Sequence, residues 1–253
     1  MIHLPTLYDT GGVLAVAKPA GLPTQAPAGI ASAESLVREQ LFGGAVAADI
    51  RAGRARHPGG FLGVPHRLDR AVSGVLLFAT TPRAARQLAR QFERRQVRKT
   101  YLAIVGPATD GPAVGTTVEW RDTIRKVPAE PRAEIVPPGA AGGRDAVTTG
   151  RVLAAAADGT WLLELEPVTG RMHQLRVQAS ARGLAVVGDG LYGGWSPADA
   201  APAQARSAAI GLHALRIMFH DPATGVETTV TCPPPAGHPW QAHPRAGAAD
   251  ASA

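Results

Sequence analysis

Cysteine and lysine are scarce in this chain of 253 residues. A single cysteine, Cys232, permits no internal disulfide and no cysteine-based zinc cluster, so a buried or incidental thiol is expected. Lysine occurs only as Lys18, Lys99 and Lys126, so arginine carries most of the 26 basic charges that oppose 20 acidic ones. The resulting net charge of +6 suits a polyanionic partner. A GC-rich gene also favours arginine and alanine, so the placement of the charge matters more than its sum. No apolar run reaches the roughly 18 to 20 residues of a membrane-spanning helix, and the opening Met1-Ile2-His3-Leu4-Pro5 lacks the order of a signal peptide. A cytoplasmic protein without membrane contact is expected. A Gly-rich phosphate loop and an internal repeat are also missing.

What is present reads as one sizeable core, with 45% of residues apolar. Strand-like runs occur at 12–17, 74–79, 101–105, 161–165 and 227–231, parted by Gly and Pro. They predict an α+β fold with a mixed, largely antiparallel central sheet, and flanking helices and loops around an active-site cleft. Residues 26–60, 107–144 and 233–253 read as irregular, the first two as binding loops or plain insertions and the last as a disordered tail. One long helix is well signalled, with Thr81 as N-cap and Pro82 at its first position. Its spacing puts Ala85, Leu88, Ala89 and Phe92 on an apolar side, and Arg83, Arg86, Arg90 and Arg94 opposite. Glu93 is the only acid there, and Arg95, Arg98 and Lys99 follow, so the basic face is expected to meet phosphates.

Two segments concentrate functional groups beside apolar strands: Pro65-His66-Arg67-Leu68-Asp69-Arg70-Ala71-Val72-Ser73-Gly74 and Thr169-Gly170-Arg171-Met172-His173-Gln174-Leu175-Arg176-Val177. Asp69 lies between arginines in a turn just before a strand, where a carboxylate can be presented into a cleft. The first segment resembles the active-site motif of the RluA-like family of RNA pseudouridine synthases. Lys99-Thr100-Tyr101-Leu102-Ala103 resembles the family's next motif, and the segment from Thr169 its third. Lys18-Pro19-Ala20-Gly21-Leu22, Val187-Gly188-Asp189 with Tyr192, and Leu212-His213-Ala214 add matches in family order. Val72 and Met172 depart from the usual threonine, or threonine or serine, and Gln178 from a frequent histidine. These departures bear on packing or specificity, not on a catalytic group. The resemblance implies one catalytic domain over 1–232, with no separate N-terminal RNA-binding domain, acting as a monomer.

The resemblance also implies a reaction without cofactor or metal. The bond from uracil N1 to ribose C1′ breaks, the base turns, and C5 takes the place of N1. Attack on ribose, attack on base and removal of a sugar proton remain alternative routes, and each needs an ionised, poorly hydrated carboxylate. That role falls to Asp69. Burial alone would neutralise it, so a guanidinium partner is required; the resemblance names Arg176, arriving from a distant strand. Tyr101 resembles the tyrosine that lies against the flipped base, and Leu212 a residue packed beside the carboxylate. Arg67 resembles the arginine that fills the vacated space or binds phosphate. His66, Lys99 and Arg171 fall in the same motifs and are expected, with Arg86, Arg90 and Arg94, to contact RNA, either ribosomal or transfer. The rival readings are a scaffold that only binds RNA, a hydrolase using Asp69 with His66 or His173, and a glycosidase pairing Asp69 with Asp189.

Overall fold

The computed structural model describes residues 3–43, 60–106, 111–194, 209–237 and 239–243. Aliphatic runs closed by tight turns give β1 (Thr6–Thr10) and β2 (Val13–Lys18), then helix α1 (Ala33–Phe42). There follow β3 (Ser73–Ala79), α2 (Pro82–Glu93), β4 (Arg98–Val105), β5 (Thr117–Lys126), β6 (Ala133–Val136), β7 (Arg144–Ala155) and β8 (Trp161–Pro167). Helix α3 (Gln174–Ser180), β9 (Leu212–His220) and β10 (Glu227–Thr231) complete the order. The strands form one sheet in the order β1-β2-β3-β9-β4-β8-β7-β5-β6, with β10 also on β9. Every pairing is antiparallel except β3 with β9, so the sheet is mixed and largely antiparallel.

The sheet forks where β3 meets β9, and the fork positions the site. The two strands pair only at Ser73 with His213 and Gly74 with Ala214, while the far half of β9 pairs with β10. Gly74 has φ 122°, and a Cβ there would sit 2.2 Å from the Ala214 carbonyl oxygen, so no other residue fits. The His213 ring locks the junction, with Nδ1 2.8 Å from Ser73 Oγ and Nε2 2.7 Å from the Cys232 carbonyl oxygen. A carbonyl only accepts, so Nε2 carries the proton and Nδ1 accepts from the serine hydroxyl. Burial, against the Cys232 bond, brings this histidine down to about 4, so it is a neutral core group. β3 is buried at every residue, and Leu88 of α2 packs over it in the same core cluster. Burying such a leucine is worth about 1.5 to 3 kcal/mol.

Four expectations need correction. The stretch 26–60 contains α1, begun by a reciprocal cap between Ser32 and Ser35; 44–59 lie outside the described residues. The stretch 107–144 contains β5 and β6. Its apolar alternation, Val118, Trp120 and Ile124, is broken by Asp122, whose Oδ2 accepts from Gln178 Nε2 at 2.7 Å. Part of the tail packs on the core: Trp240 is buried against Leu102, Ile104 and Leu215, and His243 Nε2 lies 2.8 Å from Thr160 Oγ1, while 238 and 244–253 lie outside the described residues. The α2 face is turned from the expected one, since Ala84, Leu88 and Gln91 are buried and Ala89 is exposed. Alanine is too small to mark a face. Gln91 turns inward because its amide donates to the His220 carbonyl at 2.7 Å and accepts from the His220 N–H at 2.8 Å.

Candidate active site

A cleft of ≈ 520 Å³ opens at the start of β3, a size suited to a nucleotide. Asp69 enters it from the loop before the strand, with Leu68 and Val72 buried on either side as anchors. The segment after β2 clamps that loop from behind. Thr24 Oγ1 donates to the Leu68 carbonyl at 2.9 Å and accepts from the Leu68 N–H at 3.0 Å. The Arg70 carbonyl accepts from Gly21 N–H at 2.8 Å and from Lys18 Nζ at 3.4 Å. Lys18 is 1% exposed and also donates to the carbonyls of Pro19 and Leu22. Burial lowers its pKa to about 7 against the opposing charge of Asp69.

Arg176 reaches the carboxylate from α3, a helix and not the strand expected. Its Nη1 donates to Asp69 Oδ2 at 3.1 Å. Its other side is taken up by Asp189, whose two oxygens accept from Nε at 2.6 Å and Nη2 at 2.8 Å. This bidentate pair fixes the plane of the guanidinium, and the Tyr192 ring supports it with its centroid 5.1 Å from the central carbon. Burial opposes the charge of Arg176, but its bonds to Asp189 and the negative charge of both carboxylates outweigh burial and keep it protonated. Asp189 is 1% exposed and does not line the cleft. It therefore does not serve the glycosidase reading as a second carboxylate in the cleft.

The other wall of the cleft comes from β4 and the loop between β8 and α3. Tyr101 faces the cavity beside a one-residue slip in the β4–β9 pairing. Burial, then the charge of Asp69, raises its pKa, so it rests as a phenol that can donate a proton. His66 stacks on Phe92 at 5.0 Å, and its Nε2 accepts from the Leu77 N–H at 2.9 Å. Burial, reinforced by the charge of Lys99, lowers it to about 3, so it is a neutral wall group with its proton on Nδ1. Burial also lowers Lys99. In the loop before α3, Gln174 is a hub. Its Oε1 accepts from Thr169 Oγ1 at 2.7 Å and Arg171 N–H at 3.0 Å, and its amide donates to Val147 O and Thr148 Oγ1, each at 3.0 Å.

The departures from the family pattern are absorbed by packing. Val72 is buried in the main core, and Met172 packs with Ile124, Ala133 and Ala146. Gln178, with no exposure, bridges Thr148 Oγ1 at 2.7 Å and Asp122.

Of the residues singled out in the sequence, Asp69, Arg176, Tyr101, Arg67, His66, Lys99 and Arg171 all line this cleft, with Leu212 at its base. Arg86, Arg90 and Arg94 do not. Arg90 and Arg94, with Arg83, border a separate hollow against the turn His220–Gly225, and Arg86 is exposed on the helix. Sequence reasoning gave Asp189 and Tyr192 no part in holding Arg176, and set His173 beside Asp69 only in the hydrolase reading. The matched run Val187-Gly188-Asp189 with Tyr192 was the available signal. Among the described residues, no group of three or more His, Cys, Asp or Glu is placed to hold a metal ion.

The family model for RNA pseudouridylate synthase matches residues 12–181, spanning every cleft element except β9. A dual-specificity RNA pseudouridine synthase RluA of Haemophilus influenzae is 31% identical over 234 residues, covering 90% of this chain and 91% of that one. The chain belongs to the RluA-like RNA pseudouridine synthases. RluA of Escherichia coli K12 is 36% identical over 172 residues, 66% of this chain and 71% of the relative. The human RNA pseudouridylate synthase domain containing 1 superposes on this synthase with a TM-score of 0.64 at 28% identity, over 92% of this chain and 84% of the human one. As an isomerase of this family, the synthase converts uridine to pseudouridine in RNA.

Proposed function

We propose that this pseudouridine synthase draws a uridine of structured ribosomal or transfer RNA into the cleft, where Asp69 is the reacting carboxylate. The observation that carries the reading is the 3.1 Å contact between Asp69 Oδ2 and Arg176 Nη1 at the cleft wall. That guanidinium, already oriented by Asp189, holds the Asp69 carboxylate in place by a charge-assisted hydrogen bond. A stacked uridine must be extruded first. Arg67, exposed at the mouth, takes the vacated space or a neighbouring phosphate, and Lys99 and Arg171 attract the backbone. The dual-specificity names of two relatives support a choice of substrate wider than one RNA site. One catalytic domain, with Trp240 and His243 packed onto it, acts as a monomer in the cytoplasm, where such RNA resides.

The test is incubation of the purified protein with ribosomal and transfer RNA tritiated at uridine C5. Tritium release without free uracil is expected; free uracil with tritium retained would assign the cleft to a glycosidase.

In the same assay, Tyr101→Phe keeps the ring that stacks on uracil and loses the hydroxyl. RNA affinity should stay near wild type while turnover falls by about 10² to 10⁴ if the phenol moves the C5 proton. Tyr101→Ala removes the platform too, and should weaken binding by a further 1 to 3 kcal/mol, roughly. A Phe variant as fast as wild type would deny the hydroxyl a chemical part.

Arg86, Arg90 and Arg94 lie off the cleft, so their proposed partners are phosphates flanking the target. Reversing all of them to Glu should weaken binding and flatten the slope of log affinity against log salt by about 2 to 3. An unchanged slope would assign that helix face to solvent.

A further inference from the structure

We propose that His173 is a positioning residue for Asp69, held by Tyr192 in the tautomer that presents Nε2–H to the carboxylate. The proposal rests on Asp69 being the reacting group. His173 adopts φ 51° and ψ 26°, a left-handed conformation that is uncommon outside glycine, at the entrance to α3. Its Nε2 lies 3.6 Å from Asp69 Oδ2 and its Nδ1 lies 2.8 Å from the Tyr192 hydroxyl. The hydroxyl also accepts from the Ala133 N–H, at 2.8 Å, where β6 begins. An amide can only donate, so the phenol keeps its own proton for another acceptor. Among the described residues, Nδ1 is the acceptor in reach. Nδ1 therefore accepts and Nε2 carries the ring proton, aimed at Asp69.

The surroundings keep this arrangement in place. Burial raises the Tyr192 pKa, so its hydroxyl stays protonated. The charges facing His173 are Asp69 and Asp189 on one side of the balance and Arg176 and Arg67 on the other. Burial lowers the imidazole, so it is neutral when Asp69 reacts. At 3.6 Å the contact is longer than a hydrogen bond, and it tightens as the uridine fills the cleft. With the opposite tautomer, a nitrogen lone pair would face the carboxylate and push it away. The chain Ala133, Tyr192, His173, Asp69 thus ties the β5–β6 hairpin to the reacting carboxylate. The Tyr192 ring under Arg176 is a separate duty that Phe retains.

The test compares turnover and RNA affinity in His173→Leu, His173→Gln, Tyr192→Phe and the Gln–Phe double variant. His173→Leu should lower kcat by about 10- to 100-fold while RNA affinity stays within a few-fold. His173→Gln should recover most of that loss, because an amide N–H needs no tautomer set for it. Tyr192→Phe should cost about tenfold alone and almost nothing on top of His173→Gln, since the two act through one proton. Full activity in His173→Leu, or an equal Tyr192→Phe cost in both backgrounds, overturns the proposal. Tyr192→Phe leaves the strained backbone untouched, so its ratio decides the matter even if the Leu variant unfolds. Turnover retained in Asp69→Asn would instead remove the reading on which the proposal rests, whatever these ratios are.

Discussion

Asp69→Asn is expected to reduce pseudouridine formation below about 10⁻⁴ of the wild-type rate while RNA affinity changes by no more than a few-fold. The amide has the carboxylate's shape, and its carbonyl oxygen can still accept from Arg176 Nη1, so the cleft keeps its form. It cannot act as an anion on ribose or base, and every route to glycosidic cleavage considered for this site needs one. The fold should tolerate the change well. Arg176 retains its bidentate pair with Asp189, at 2.6 and 2.8 Å, so no buried charge is left uncompensated. The melting temperature should therefore not fall. Affinity is measured on the same RNA as turnover. Measurable turnover in a purified variant would remove Asp69 from the chemistry, and lost affinity with lost turnover would make it a binding residue.

Arg176→Met should abolish turnover by a different route, and should also destabilise the protein. It strips Asp69 of its guanidinium partner and leaves Asp189, 1% exposed, as an unpaired buried carboxylate. Breaking a buried pair on one side typically costs about 3 to 5 kcal/mol. Replacing both partners, Arg176→Met with Asp189→Leu, removes the orphaned charge and should restore most of the stability. It should restore none of the activity, because Asp69 still lacks its guanidinium. Arg176→Lys retains a charge but not the planar fork that meets two carboxylates, so it should fold and turn over slowly. Denaturant unfolding and C5 tritium release, measured on all three, separate the two roles. A double variant that is stable and active would mean that Asp69 does not depend on Arg176.

The residues that line the cleft were legible in the sequence because they sit in short runs of unusual density, His66 to Asp69 and Arg171 to Arg176. Their supports were not. Asp189 is separated from Arg176 by a helix and a turn, and a lone acid carries no sign of what it faces. Helix α3 was hidden because it is short, begins at a left-handed histidine, and buries polar Gln174, Arg176 and Gln178 with its apolar residues. No amphipathic stripe can mark such a helix. Strand β5 was hidden by Asp122, which is polar on an inward face because Gln178 and Arg182 meet it there. The arginines of α2 made a face as the periodicity required, yet that face looks away from the cleft. Helical spacing fixes which residues share a side and not what that side meets.

The central claim is that this chain, through Asp69, makes pseudouridine in structured RNA. The most direct test takes ribosomal and transfer RNA from cells lacking the gene and treats it with the purified protein, or with Asp69→Asn, with no cofactor added. Pseudouridines are then mapped as carbodiimide-dependent stops in reverse transcription. The wild-type protein should restore stops at defined uridines, the same ones present in RNA from cells that carry the gene, and the Asn variant should restore none. Identical maps with and without the wild-type protein, or the same stops from the Asn variant, would contradict the account.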